Sequence, residues 1–186
     1  MFETSRRQIL LGGAAIVAVF ATRPAHATLV RGVSLPVLVQ RSQRIVILEA
    51  LDAVCHYSEI GGRRSLVTDT RARIHQAWGE PTEGELTVRT LGGRLDGVGE
   101  LVEGQPRFEL GMPALTFLKL GRDGQAWWTT AMAQGHFPLS GAEETSRLSQ
   151  SRGLPTLLDF ESSAVRRLVG RQVSEARELV RQARQP

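Results

Sequence analysis

The 186-residue chain has one cysteine, Cys55, which excludes an internal disulfide framework and any multi-cysteine metal site. It has no asparagine and therefore no N-glycosylation sequon. Lys119 is the only lysine, so the positive charge comes from arginine. Aromatic residues are 5% of the chain, with a single tyrosine, Tyr57, which leaves little material for a wide stacking surface. No H-E-x-x-H, G-x-S-x-G or Walker A pattern occurs. What is present is ordinary: 41% apolar and 23% charged residues, enough for the core of one domain and too apolar for wholesale disorder.

Residues 1–27 carry an address. Ser5-Arg6-Arg7-Gln8-Ile9-Leu10 matches a twin-arginine export signal, with Arg6 and Arg7 as its reading point. The glycine- and alanine-diluted stretch from Leu10 to Ala21 is shorter than a membrane span. Ala25-His26-Ala27 then supplies a small-x-small cleavage pattern, with Ala25 and Ala27 as the small residues and Thr28 as the expected mature start. The expected location is the periplasm or the exterior, with the twin-arginine translocase met on the way and no integral span left after cleavage. Removal of residues 1–27 leaves 20 basic against 18 acidic residues, a balance that argues against nucleic acid as the partner.

The order of apolar patterns in residues 28–139 predicts a mainly β domain. Ser34 and Pro36 mark a short helix. Ile45-Val46-Ile47-Leu48 is a β-branched run suited to a strand buried on both faces, in a strand from Arg44 to about Cys55. Gly61-Gly62 turns the chain into a second strand, Ser65 to Trp78, with Thr70, Ala72 and Ile74 on one side and Arg71, Arg73 and His75 on the other. A third strand spans Glu85 to Thr90, and a fourth Ala114 to Leu120. Gly121-Arg122-Asp123-Gly124 predicts a hairpin, with Gln125 to Met132 returning and a last short strand near His136. Between them, residues 91–113 contain six glycines and read as a long functional loop. Residues 140–155 are polar and read as a linker. Residues 156–186 predict one amphipathic helix, with Val165, Leu168, Val169, Val173, Ala176, Leu179 and Val180 on its apolar face and Asp159 or Ser162 as its cap. Five or six short strands with glycine turns imply a small antiparallel barrel carrying a C-terminal helix.

The run Arg44-Ile45-Val46-Ile47, the long strand ending Ile74-His75-Gln76-Ala77-Trp78-Gly79, the strand Leu86-Thr87-Val88-Arg89-Thr90 and the segment Gly111-Met112-Pro113-Ala114-Leu115-Thr116-Phe117-Leu118 follow one another in an order that resembles netrin-like domains. These are variants of the oligonucleotide/oligosaccharide-binding (OB) barrel, found in tissue inhibitors of metalloproteinases and in exported bacterial proteins. The resemblance covers Leu35 to Leu139 and implies an OB-like barrel and the role of a secreted binding module. It does not carry over the zinc-chelating N-terminal cysteine of those inhibitors, because the expected mature terminus is Thr28 and Cys55 lies within a strand.

The residues offer no catalytic constellation. Cys55 and His56 are neighbours in a strand, so their side chains point to opposite faces. His56, His75 and His136 lack metal-ligand spacing. No cofactor, metal or catalytic residue is expected, and the chain reads as a non-enzymatic module. Binding candidates lie on the 91–113 segment, where Arg94 and Arg107 could pair with carboxylates beside Asp96 and Phe108, and at Trp127 and Trp128, one of which faces outward or under the C-terminal helix. The expected partner is another exported or envelope protein, inhibited or assisted through the 91–113 loop. The alternatives are an oligosaccharide- or oligonucleotide-binding barrel and an enzyme of unrecognised chemistry.

Overall fold

The computed structural model describes residues 28–185. Arg6, Arg7, Ala25 and Ala27, which carry the export reading, lie outside the described residues. After the short strand β1 (Leu29–Arg31), Ser34 and Pro36 open helix α1 (Leu35–Gln40), as expected from an N-cap followed by proline in the first turn. Leu35, Leu38 and Val39 are its buried side.

Two long antiparallel strands follow, β2 (Arg44–Ile60) and β3 (Arg63–Ala77). Gly61 and Gly62 join them with φ of 60° and 78°, the positive values a two-residue hairpin turn demands. Irregularities at Ile47/Leu48 and at Ala50/Asp52 shift the register and bend the pair. Strand β4 (Glu85–Leu91) adds to β3. A small hairpin, β5 (Gly93–Leu95) and β6 (Val98–Glu100), stands apart from this sheet. Strand β7 (Pro113–Leu120) then pairs with the other side of β2, so that β7-β2-β3-β4 is a Greek-key order.

Strand β8 (Trp127–Thr129) pairs antiparallel with β7 and parallel with β4, which closes the pairings into a ring of five. The expectation of an all-antiparallel sheet is thereby corrected: the sheet is mixed. The reason is arithmetic, since an odd number of strands cannot alternate direction all the way round. Strand β9 (His136–Pro138) adds to β7 as a sixth member.

The C-terminal part departs further from expectation. In place of one helix there is a strand, β10 (Thr156–Leu158), parallel to β1, and two helices, α2 (Ala164–Leu168) and α3 (Val173–Arg184). Gly170, with φ of 83°, breaks the helix between them. Neither Asp159 nor Ser162 caps α2; Ser163 does, its hydroxyl accepting from the Arg166 N–H at 3.1 Å. The apolar periodicity survives the break, because Val165, Leu168, Val173, Ala176 and Val180 are all buried.

Strand alternation produces two cores. Ile45, Ile47, Leu115, Phe117 and Phe137 face outward from the ring and are covered by α1, α2 and α3, together with Trp78 and Leu148. Phe117 and Phe137 meet edge to face with centroids 6.0 Å apart. Val46, Leu48, Ala72, Leu86, Val88 and Leu118 face one another inside the ring. The 140–155 segment is irregular, as its composition implies, yet it is packed: Leu148 is buried and its N–H donates to the Arg171 carbonyl at 2.9 Å.

Candidate binding site

The 91–113 segment is folded, and its glycines explain how. Gly93 (φ 142°) lies against Cys55 and Thr68 of the β2–β3 pair; a Cβ there would come within 2.5 Å of Cys55 Sγ, so only glycine allows the approach. The Gly92 N–H donates to the Leu66 carbonyl at 2.8 Å, and the Thr68 hydroxyl donates to the Gly92 carbonyl at 2.8 Å. Asp96 and Gly97, with φ of 50° and 80°, then turn the β5–β6 hairpin. Asp-Gly between Leu95 and Val98 is the hairpin signal that reading the stretch as one loop passes over.

The return path is pinned as well. The Ala133 N–H donates to the Gly104 carbonyl at 2.8 Å, and Phe108 meets the His136 ring edge-on at 4.6 Å. Glu109 is paired with Arg152 at 2.6 Å, and the Gly111 N–H reaches the Ala50 carbonyl at 2.8 Å. Among the charged side chains that this anchored segment exposes (Arg94, Asp96, Glu100, Glu103, Arg107 and Glu109) are four large apolar ones: Val98 is 57% exposed, Leu101 73%, Leu110 60% and Met112 42%. Single exposed apolar residues are normal; four within 15 residues of an anchored segment are a local concentration.

Between the segment and the end of the ring is a cleft of about 780 Å³. Ala53, Thr68, Thr70 and Thr90 form its ring wall, and Arg94, Leu101, Val102, Arg107 and Phe108 its outer wall. The sequence-derived candidates thus divide. Arg94, Arg107 and Phe108 come together at the cleft. Asp96 sits in the hairpin turn, away from the lining.

Trp127 and Trp128 lie elsewhere. Trp127 packs against the ring interior with the Arg44 guanidinium 4.3 Å from its ring centroid. Trp128 is half-buried, opposite Arg89 of β4. The tryptophan under the C-terminal helix is Trp78, 6% exposed, with Arg177 over its ring at 5.6 Å.

A second polar group was not visible in the sequence, because it joins four separate stretches. Arg89 makes a two-pronged ion pair with Asp69, at 2.6 and 2.7 Å, and reaches Asp123 at 3.3 Å. His56 Nε2 approaches Asp69 at 3.0 Å, and its Nδ1 approaches the Tyr57 carbonyl at 3.1 Å. Both neighbours are acceptors, so the ring is suited to carrying both protons. The bond to Asp69 raises the His56 pKa above its ordinary 6.5. Burial pushes the Asp69 carboxyl up, but hydrogen bonds from Arg89 and His56 outweigh it and hold the group below the usual carboxylate value. The network ties β2, β3, β4 and the β7–β8 turn on the outer face, opposite the cleft. Cys55 and His56 point to opposite faces, as alternation requires.

His136 is the other perturbed group. It is buried against Phe108, with Nδ1 at 3.0 Å from the Ser151 hydroxyl, and burial lowers its pKa to about 4. Among the described residues no carboxylate is hydrogen-bonded to the pair, and Ser151 is itself 3% exposed; the contact joins β9 to the 148–153 segment. Among the described residues no three His, Cys, Asp or Glu side chains are placed to hold a metal ion. No helix among them is long and apolar enough to cross a membrane. No family model, curated protein or solved structure matches this chain.

Proposed function

We propose that this chain is an exported, non-enzymatic binding module that docks another exported or envelope protein on its 91–113 segment. The observation that carries the reading is the concentration of exposed Val98, Leu101, Leu110 and Met112 on a segment held at both ends and in its middle. Apolar side chains held outward on an anchored scaffold favour a partner that covers them. We further take the ring to be a small OB-like barrel. Its Greek-key order and its closure by a fifth strand support that reading. An oligosaccharide or oligonucleotide ligand has the same strand order in its favour. It ranks second because Phe117 and Trp78 are in the helix-side core and Phe108 is the one aromatic at the cleft.

The test is cross-linking capture from an envelope fraction. The partner recovered by the native chain is expected to be lost with Leu101→Asp and kept with Arg122→Ala in the β7–β8 turn; equal recovery with Leu101→Asp overturns the reading. A fusion reporter carrying Arg6→Lys and Arg7→Lys is expected to stay in the cytoplasm.

A further inference from the structure

The β2–β3 arm has an open sheet edge beside the cleft. Strand β7 covers the free side of β2 only from Arg44 to Glu49. A bridge between Ala50 and Leu110 ends that cover. From Asp52 to Ile60, β2 pairs with β3 alone, and no described residue pairs with its other side. Strand β4 reaches only Val67 on the far side of β3, so the arm tip is a two-stranded ribbon, the least self-sufficient form of sheet.

Nine residues of edge present a row of main-chain donors and acceptors roughly 30 Å long. Edges of this length are ordinarily blunted by lysine, proline or unpaired charge. Here there is no lysine or proline; of the charged groups Asp52 is held by Arg71, and His56 is turned to Asp69 of β3 with its Nδ1 at the neighbouring Tyr57 carbonyl, which leaves Glu59. Val54 is 61% exposed on the same stretch. Ala53 belongs to both the edge and the cleft, so a chain laid along β2 would have side chains entering the cleft. Arg94 and Arg107 stand there against one carboxylate, Glu100, and among the described residues neither arginine is in an ion pair.

We infer that the β2 edge from Asp52 to Ile60 receives an extended peptide segment of the partner as an added strand, with a carboxylate side chain of that segment meeting Arg94 or Arg107. The inference rests on the binding-module reading and specifies how the partner is held. The main chain of the edge supplies hydrogen bonds without regard to sequence. The apolar wall of Leu101, Val102 and Phe108 and the two arginines select the peptide.

A phage-displayed library of random dodecapeptides, selected against the exported chain, supplies the probe, and its strongest binder is used as a free peptide. Adjacent strand residues direct their N–H groups to opposite sides, so Val54→Pro and Cys55→Pro form a pair. One removes a ladder bond to β3 and lowers the melting temperature; the other removes only an outward donor. The expected result is hydrogen-exchange protection at 52–60 and about tenfold weaker binding in the outward-proline variant with its melting temperature kept, the scale of one or two lost main-chain bonds. Arg107→Ala is expected to weaken binding of carboxylate-bearing peptides. Binding that survives both prolines, protection confined to 91–113, or no binder at all overturns strand addition. Those results leave the binding-module reading to its own Leu101→Asp test. Self-association abolished by the outward proline would make a second copy the occupant and overturn the partner peptide.

Discussion

The helix-covered side of the ring and its arm-and-segment end are built on opposite terms. On the first, α1, α2 and α3 cover Ile45, Ile47, Leu115, Phe117 and Phe137, each 2% exposed or less, and the exposed apolar side chains Leu29, Leu158 and Phe160 lie on β1, β10 and the turn before α2. On the second, a two-stranded arm and a glycine-bent segment leave Val54, Val98, Leu101, Leu110 and Met112 outside. The contrast separates two tasks. One side supplies the stability, and the other spends little apolar surface on holding itself together and presents the remainder to a partner.

The comparison is broken most directly by Phe117→Ala, which empties a fully buried ring site between the sheet and the helices. It should cost about 3–5 kcal/mol in denaturant unfolding. A cost near 1 kcal/mol would show that the helix side is loosely packed. The next effect follows from His136. The unfolded chain takes up a proton below the ordinary 6.5, whereas the folded chain resists protonation until about 4. Stability is therefore full above 6.5 and falls as pH drops towards 4, by roughly 3 kcal/mol in all. His136→Leu should flatten that slope.

His56 has the opposite sign, because its pKa is raised. Its contribution is present below 6.5 and lost as pH rises through the higher folded value. An NMR titration should place the two imidazoles on either side of 6.5, and two coincident curves would contradict the structure.

Gly93→Ala sharpens the contrast at the segment. The added Cβ meets Cys55 and Thr68 in a backbone conformation that disfavours it, so a loss of about 1–3 kcal/mol and faster hydrogen exchange over 91–100 are expected. The smallest effect belongs to Leu101→Asp. Its side chain is mostly in water, and the melting curve should move by less than about 0.5 kcal/mol while partner capture is lost.

The helix side was legible because burial imposes periods. Ile45-Val46-Ile47-Leu48 announced a strand with a core on each face, and the heptad-like spacing from Val165 to Val180 announced its helical cover. The break at Gly170 was less legible, since the apolar face continues across it. The binding end was legible only in part. Arg94, Arg107 and Phe108 were found by their place in a glycine-rich stretch, but nothing local shows that they share one cleft. Asp96 and Gly97 serve a turn, and the two tryptophans serve β8. The group of His56, Asp69, Arg89 and Asp123 had no local signal at all, because its members are brought together by the pairing of strands.

The amino-acid order alone determined the longer strands of the ring, the Gly61-Gly62 turn between two of them, and the apolar faces that leave water, since backbone sterics and apolar period act over a few residues. The tertiary structure decided that β8 closes on β4 in parallel, that β2 outruns its neighbour β7 and keeps an open edge, and that two arginines face a cleft. Those outcomes depend on which strands meet, and pairing across 20 to 70 residues leaves no trace in any one of them.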